Sequence, residues 1–137
     1  MPSYNFQSRF APLVQSGVKR NTIRGRAAQV GQTAYLFTGQ RTRTCKSLGK
    51  GVIQSCRPIT LGWREHGYHP TARVDSLQLN APCIQELAVS EGFADAREMV
   101  VWFEKTYKQR KPLDDGSCEI FSGFLISWEP IANGVAA

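Results

Sequence analysis

From Asn21 to Asn80, strand-length segments follow one another with gaps too short to hold a crossover helix. That spacing limits the possible folds more than any other feature. "NTIRG", beginning at Asn21, reads as a short strand, and "GQTAYLFTG" as a turn and a strand through Ala34, Tyr35, Leu36 and Phe37. "GQRTRTCKSLGKG" alternates Arg and Thr between glycines, so it reads as a basic hairpin or long loop leading into "VIQSCRPITLG". "ARVDSLQLN" reads as one strand of imperfect alternation, with Val74, Leu77 and Leu79 as its apolar members. "CEIFSGFLISWEP" closes the chain as a strand that Pro130 should stop. Consecutive strands this close in sequence are expected to pair antiparallel.

Helices flank these strands. "FAPLVQSG" places Phe10, Leu13 and Val14 on one helical face, and Gly17 fits the left-handed residue that ends a helix. Pro82 opens a second helix, "CIQELAVSEGF", at the position proline prefers. Asp95 and Glu98 have the spacing of a capping box before a third, which carries Met99, Val100, Trp102, Phe103 and Tyr107. "KQRKPLDDGS" is a charged turn. The expectation is a mainly β chain with flanking helices (α+β), a small barrel or curled sheet. At 137 residues it is expected to be one domain spanning 1–137.

Charge is divided unevenly. Residues 1–64 hold eleven Lys and Arg and no acid; residues 65–137 hold six basic and eleven acidic residues. The halves carry +11 and −5 within a net +6. A half of one sign creates a positive field over one region, and phosphate-rich partners are its usual match. The four cysteines, Cys45, Cys56, Cys83 and Cys118, show no C-x-x-C spacing, which fits reduced thiols in a cytoplasm. No apolar run reaches the ~18 residues of a membrane span, and "MPSYNFQSRF" lacks the apolar core of a signal peptide.

The basic half contains one stretch, "GVKRNTIRGR", with Lys19, Arg20, Arg24 and Arg26 around Thr22. A threonine hydroxyl becomes a nucleophile only with a base or an alkoxide-stabilising neighbour. A lysine serves as that base when burial or nearby cations favour loss of its proton. Residues three apart in a regular strand point to opposite faces, so Lys19 and Thr22 converge only if Lys19 lies in a turn before the strand. Gly17 makes that turn plausible. The plain alternative is an exposed Lys-Arg turn leading into an edge strand.

Gly17, Lys19, Thr22 and Arg24 match G-x-K-x-x-T-x-R. That pattern resembles the signature of the ASCH domain family, within the PUA-like superfamily of small β-barrels associated with RNA. "VGQTAYLFTG", "LGKGVI", "LAVSEGFADAREMVVWFEKTY" and "FSGFLISWEP" agree with it in order and kind, so the resemblance covers nearly the whole chain. It implies a PUA-like barrel with a cleft floored by the signature strand. Small members similar to N4-acetylcytidine amidohydrolase use a lysine, a threonine and a glutamate. These carry over to Lys19, Thr22 and Glu91 of "SEGF". Thr22 would attack the amide carbonyl, Lys19 would accept its proton, and Glu91 would orient the lysine or shuttle protons. Arg24 would hold the oxyanion or a phosphate. Two departures stand out: Gln32 occupies a position often acidic in the family, and the stretch 39–72 is longer than in the compact members. Read without the family, Glu91 is an acid placed before a helix N-terminus, where the dipole favours it.

Arg41, Arg43, Lys46 and Lys50 could track a phosphate backbone together with Arg20, Arg24 and Arg26. Tyr35, Trp63 and Tyr68 could stack on bases. His66 and His69 form an H-x-x-H pair without helical support, and no metal or other cofactor is expected. Three function classes remain open at this point. The first is a hydrolase acting on RNA or a modified nucleoside. The second is a non-catalytic RNA-binding module. The third is a protein whose basic face meets an acidic partner.

Overall fold

A computed structural model describes residues 2–64 and 69–131. His66 and Tyr68, named above as a ligand and a stacking candidate, lie outside the described residues. The elements run β1 (Ser3–Phe6), α1 (Ala11–Gln15), β2 (Asn21–Arg24), β3 (Thr33–Thr38), β4 (Lys46–Arg64), β5 (His69–Val74) and β6 (Leu77–Gln78). They continue with α2 (Ala81–Ser90), α3 (Ala96–Tyr107), β7 (Lys111–Pro112) and β8 (Ser117–Ile131). The chain is therefore mainly β with a few helices. Strands pair in the order β1-β3-β4-β5-β6, and β8 pairs with β2, β4 and β7. Among the described residues these pairings branch but form no ring, so the expected closed barrel is corrected to an open sheet. No helix is long and apolar enough to cross a membrane among the described residues.

The described residues fall into two compact units. The first comprises residues 2–22, 27–56 and 126–131; the second comprises residues 23–26, 57–64 and 69–125.

In the first unit, Tyr4 and Phe6 alternate inward from β1, and Ala34 and Leu36 from β3. β1 runs parallel to β3, with Ser3 opposite Tyr35 and Phe6 opposite Thr38. The sequence reading had no strand here. β3 runs antiparallel to β4, which is the hairpin rather than the long loop of the two alternatives for "GQRTRTCKSLGKG". β4 extends back to Lys46 through Gly49 and Gly51. Gly51 lacks a side chain for a packing reason: a Cβ there would run into the indole of Trp128. Trp128 in turn tilts against Phe6, ring centroids 6.0 Å apart. α1 ends as expected, with Gly17 at φ +81°.

In the second unit, β4 and β5 pair antiparallel from Ile59 opposite Val74 to Arg64 opposite His69. Ile59, Leu61, Trp63, Ala72 and Val74 bury one face of this hairpin. "ARVDSLQLN" is not one strand. Asp75 and Ser76 both take left-handed conformations, φ +53° and +67°, and fold the segment into the β5–β6 hairpin, leaving Leu77 exposed. Short polar side chains tolerate that region, and Arg57 holds Asp75 at 2.6 Å. Asp95 caps α3 by accepting from the Glu98 N–H at 2.8 Å. α3 packs Phe103 against Phe121, centroids 4.8 Å apart, and Tyr107 stacks on Phe103. Phe103 and Phe121 are buried and contribute about 1.5–3 kcal/mol each by area. β8 does not stop at Pro130 but runs one residue past it.

Candidate functional site

Among the described residues, three polar or charged side chains are buried: Lys19 at 4% exposure, Thr22 at 4% and Glu91 at 3%. Lysine and glutamate are seldom buried without a partner or a role.

Lys19 sits where the spacing required, in the turn between Gly17 and β2. Its N–H donates to the Leu13 carbonyl at 2.9 Å, which folds the turn back on α1. Its Nζ lies 5.8 Å from the ring centroids of both Phe6 and Phe10. Burial taxes an ammonium, and two aromatic faces offset part of that cost by cation–π attraction. Phe6 comes from β1 and Phe10 from the start of α1, so this surrounding is built from two distant pieces of sequence. Thr22 follows on β2 in the same unit, with its side chain turned inward. The exposed Lys-Arg turn of the plain alternative is thus half right. Arg20 is exposed; Lys19 is not.

Glu91 belongs to the second unit. It does not stand before a helix N-terminus; it is the C-cap of α2. The Gly92 N–H donates to the Val89 carbonyl at 3.0 Å, and the Phe93 N–H donates to the Ala88 carbonyl at 2.9 Å. With Gly92 at φ +99°, this is a Schellman motif, and it explains "EGF" residue by residue. Glycine takes the left-handed position, and Phe93 buries itself beyond it. A carboxylate at this end faces the negative pole of the helix dipole. Helix stability therefore gives no reason for an acid at position 91.

The basic residues separate into groups. Arg41 and Arg43 project from the turn between β3 and β4, and Lys46 opens β4; all three are exposed. The threonines between them tie the turn together. The Thr42 hydroxyl donates to the Gly39 carbonyl and lies 3.0 Å from the Thr44 hydroxyl, and the Gln40 N–H donates to Asn5 Oδ1 at 2.8 Å. The Arg-Thr alternation is thus a division of labour, with threonines folding the turn and arginines facing water. Beside it lies a groove of about 650 Å³ lined by Asn5–Arg9, Thr38, Gly39 and Thr44. Phe6 lines this groove and also faces Lys19.

Lys50 stands across from Tyr35 in the β3–β4 ladder, its Nζ 6.0 Å from the ring centroid. Arg20 is engaged locally: Nε donates to the Gly17 carbonyl at 2.8 Å, and Nη1 meets Glu129 at 3.4 Å. Arg24, partly buried, and Arg26, exposed, belong to the second unit. Trp63 is buried at 5% exposure and is no stacking platform, because it lies on the core face of the β4–β5 hairpin. Sequence reasoning missed the Phe6–Phe10 surround of Lys19 and the groove. The only signal available was the aromatic content of "YNFQSRF" ahead of α1.

Compared with protein-family models, with curated proteins and with solved structures, the chain matches none.

Proposed function

We propose that the chain is an ASCH-type hydrolase acting on an acylated cytidine, free or within RNA. The observation that carries the reading is burial: the residues that the G-x-K-x-x-T-x-R resemblance assigns to catalysis, Lys19, Thr22 and Glu91, are the polar and charged side chains buried among the described residues. The Thr22 hydroxyl attacks the acetyl carbonyl as its proton passes to Lys19 Nζ, which must enter this step as the unprotonated amine. The amine of the base leaves with that proton, and water then releases acetate from Thr22. Glu91 is assigned to the same reaction by the resemblance alone.

The test is incubation of the chain with N4-acetylcytidine and with an oligonucleotide carrying it, with acetate and deacetylated base measured. Turnover that disappears in Thr22→Ala and Lys19→Ala, and falls sharply in Glu91→Gln, is the expected result. Turnover that survives Thr22→Ala overturns the assignment of the nucleophile.

A second reading has its own observation. The exposed Arg41 and Arg43 beside the groove at Asn5–Arg9 suit a phosphate backbone. A non-catalytic RNA-binding module would show salt-sensitive RNA binding and no product.

A further inference from the structure

The second unit holds a cavity of about 630 Å³ that the proposed hydrolysis does not use. Its floor is the outward face of the β4–β5–β6 meander. Registers place Thr60 opposite Arg73, and Arg64 opposite His69; Arg73 also pairs with Gln78 of β6. Alternate residues of a strand share a face, so His69, Thr71 and Arg73 point outward while Ala72 and Val74 go to the core. The floor is a field of donors: two guanidinium groups, an imidazole, two threonine hydroxyls and an amide.

The wall is different. It comes from the 113–119 segment and presents Asp115 and Glu119. Asp115 is held in place by Ser117, whose N–H donates to Oδ1 at 3.0 Å and whose hydroxyl donates to the same oxygen. Asp115 reaches across to Arg73 at 3.7 Å. Both partners are about half exposed, so the pair holds weakly and an incoming anion can replace it. Glu119 has Lys111 as its cross-strand neighbour.

A donor field facing an acceptor wall discriminates between the two ends of a ligand. Guanidinium groups match phosphate oxygens in a fork geometry. Carboxylates accept from sugar hydroxyls. The volume suits a drug-sized or mononucleotide-sized molecule. We infer that this cavity binds a nucleotide, with its phosphate on Arg64, His69 and Arg73 and its sugar hydroxyls on the acidic wall. The Arg73–Asp115 pair then acts as an internal competitor that the phosphate must displace.

The test is titration of the full-length chain with cytidine 5′-monophosphate and, separately, with inorganic phosphate, followed by amide chemical shifts. Saturable shifts at Thr71, Arg73, Gln78 and Ser117 are expected with the nucleotide. Arg73→Ala should weaken binding about tenfold, the loss of one charge-assisted contact. Asp115→Asn should tighten binding of inorganic phosphate several-fold, because it removes the competitor for Arg73. Glu119→Gln should weaken the nucleotide while leaving inorganic phosphate unchanged. Equal affinity for the two probes would overturn the nucleotide and leave a phosphate site. Shifts confined to residues 39–46, or no saturation at millimolar ligand, would overturn the site itself. Should Arg73→Ala fail to give a dispersed spectrum, Thr71→Val reports on the same floor. Thr22→Ala should bind the nucleotide here as the parent does, so this inference and the hydrolase reading can fail separately.

Discussion

The amine of Lys19, a residue only 4% exposed, lies 5.8 Å from the centroid of the Phe10 ring. A contact of this kind between desolvated partners is worth about 0.5–2 kcal/mol. A double-mutant cycle of Lys19→Met and Phe10→Leu, measured by urea unfolding, should return a coupling energy in that range. A coupling near zero would mean the ring only fills space.

Glycines in the strands should differ sharply in tolerance. At Gly62 a Cβ would press into the Cys118 carbonyl, and a backbone carbonyl cannot swing aside. Gly62→Ala should cost roughly 3 kcal/mol or more, or prevent folding. Gly25 has open space around it. Gly25→Ala should be neutral or stabilise by up to about 1 kcal/mol through the unfolded chain. Thermal melts of the two variants side by side test the contrast.

The carboxyl of Asp115 should titrate below its ordinary value. The Ser117 hydroxyl bond is the main cause, followed by the Ser117 N–H and then, after a small opposing effect of desolvation, the charge of Arg73. A carboxyl whose native value is depressed adds stability above the unfolded value, and that contribution disappears as pH falls through the native one. The hold of Asp115 on the 113–117 turn should therefore persist below the ordinary carboxylate range and be lost only as pH falls through the depressed native value. Carboxyl carbon NMR should show the depressed value, and Ser117→Ala should move it back up.

Arg43 faces water from a turn that threonines hold together. Arg43→Ala should leave the melting temperature unchanged. If RNA lies along this turn, the slope of log affinity against log salt should fall by about one. An unchanged slope would place the phosphates elsewhere.

Much of the architecture was legible because it is written locally. Gly17, Pro82 and Asp95 punctuate the helices in the chemistry that helix ends require, and β3 alternates cleanly. What failed was written at a distance. β1 is four residues long and exists because β3 accepts it in parallel. The start of β4 carries two glycines, which left hairpin and loop undecided until Trp128 is set over Gly51. Asp75 and Ser76 reverse the chain where the apolar pattern suggested continuity. At the candidate site, the position of Lys19 before β2 followed from Gly17, whereas its burial depends on Phe6 and Phe10. Glu91 was legible as a residue but not as a helix C-cap, because two helices so close together can be divided in more than one way.

Three strand glycines, Gly51, Gly62 and Gly123, are each overlaid by a neighbour: an indole, a carbonyl, and the Arg24 carbonyl with the Phe121 ring. What holds each of them bare is packing and not chemistry. They amount to a lineage mark. A distant chain that keeps bare hydrogens at these three depths, between the same bulky neighbours, can be ranked as kin even where its signature strand has been rewritten for another substrate.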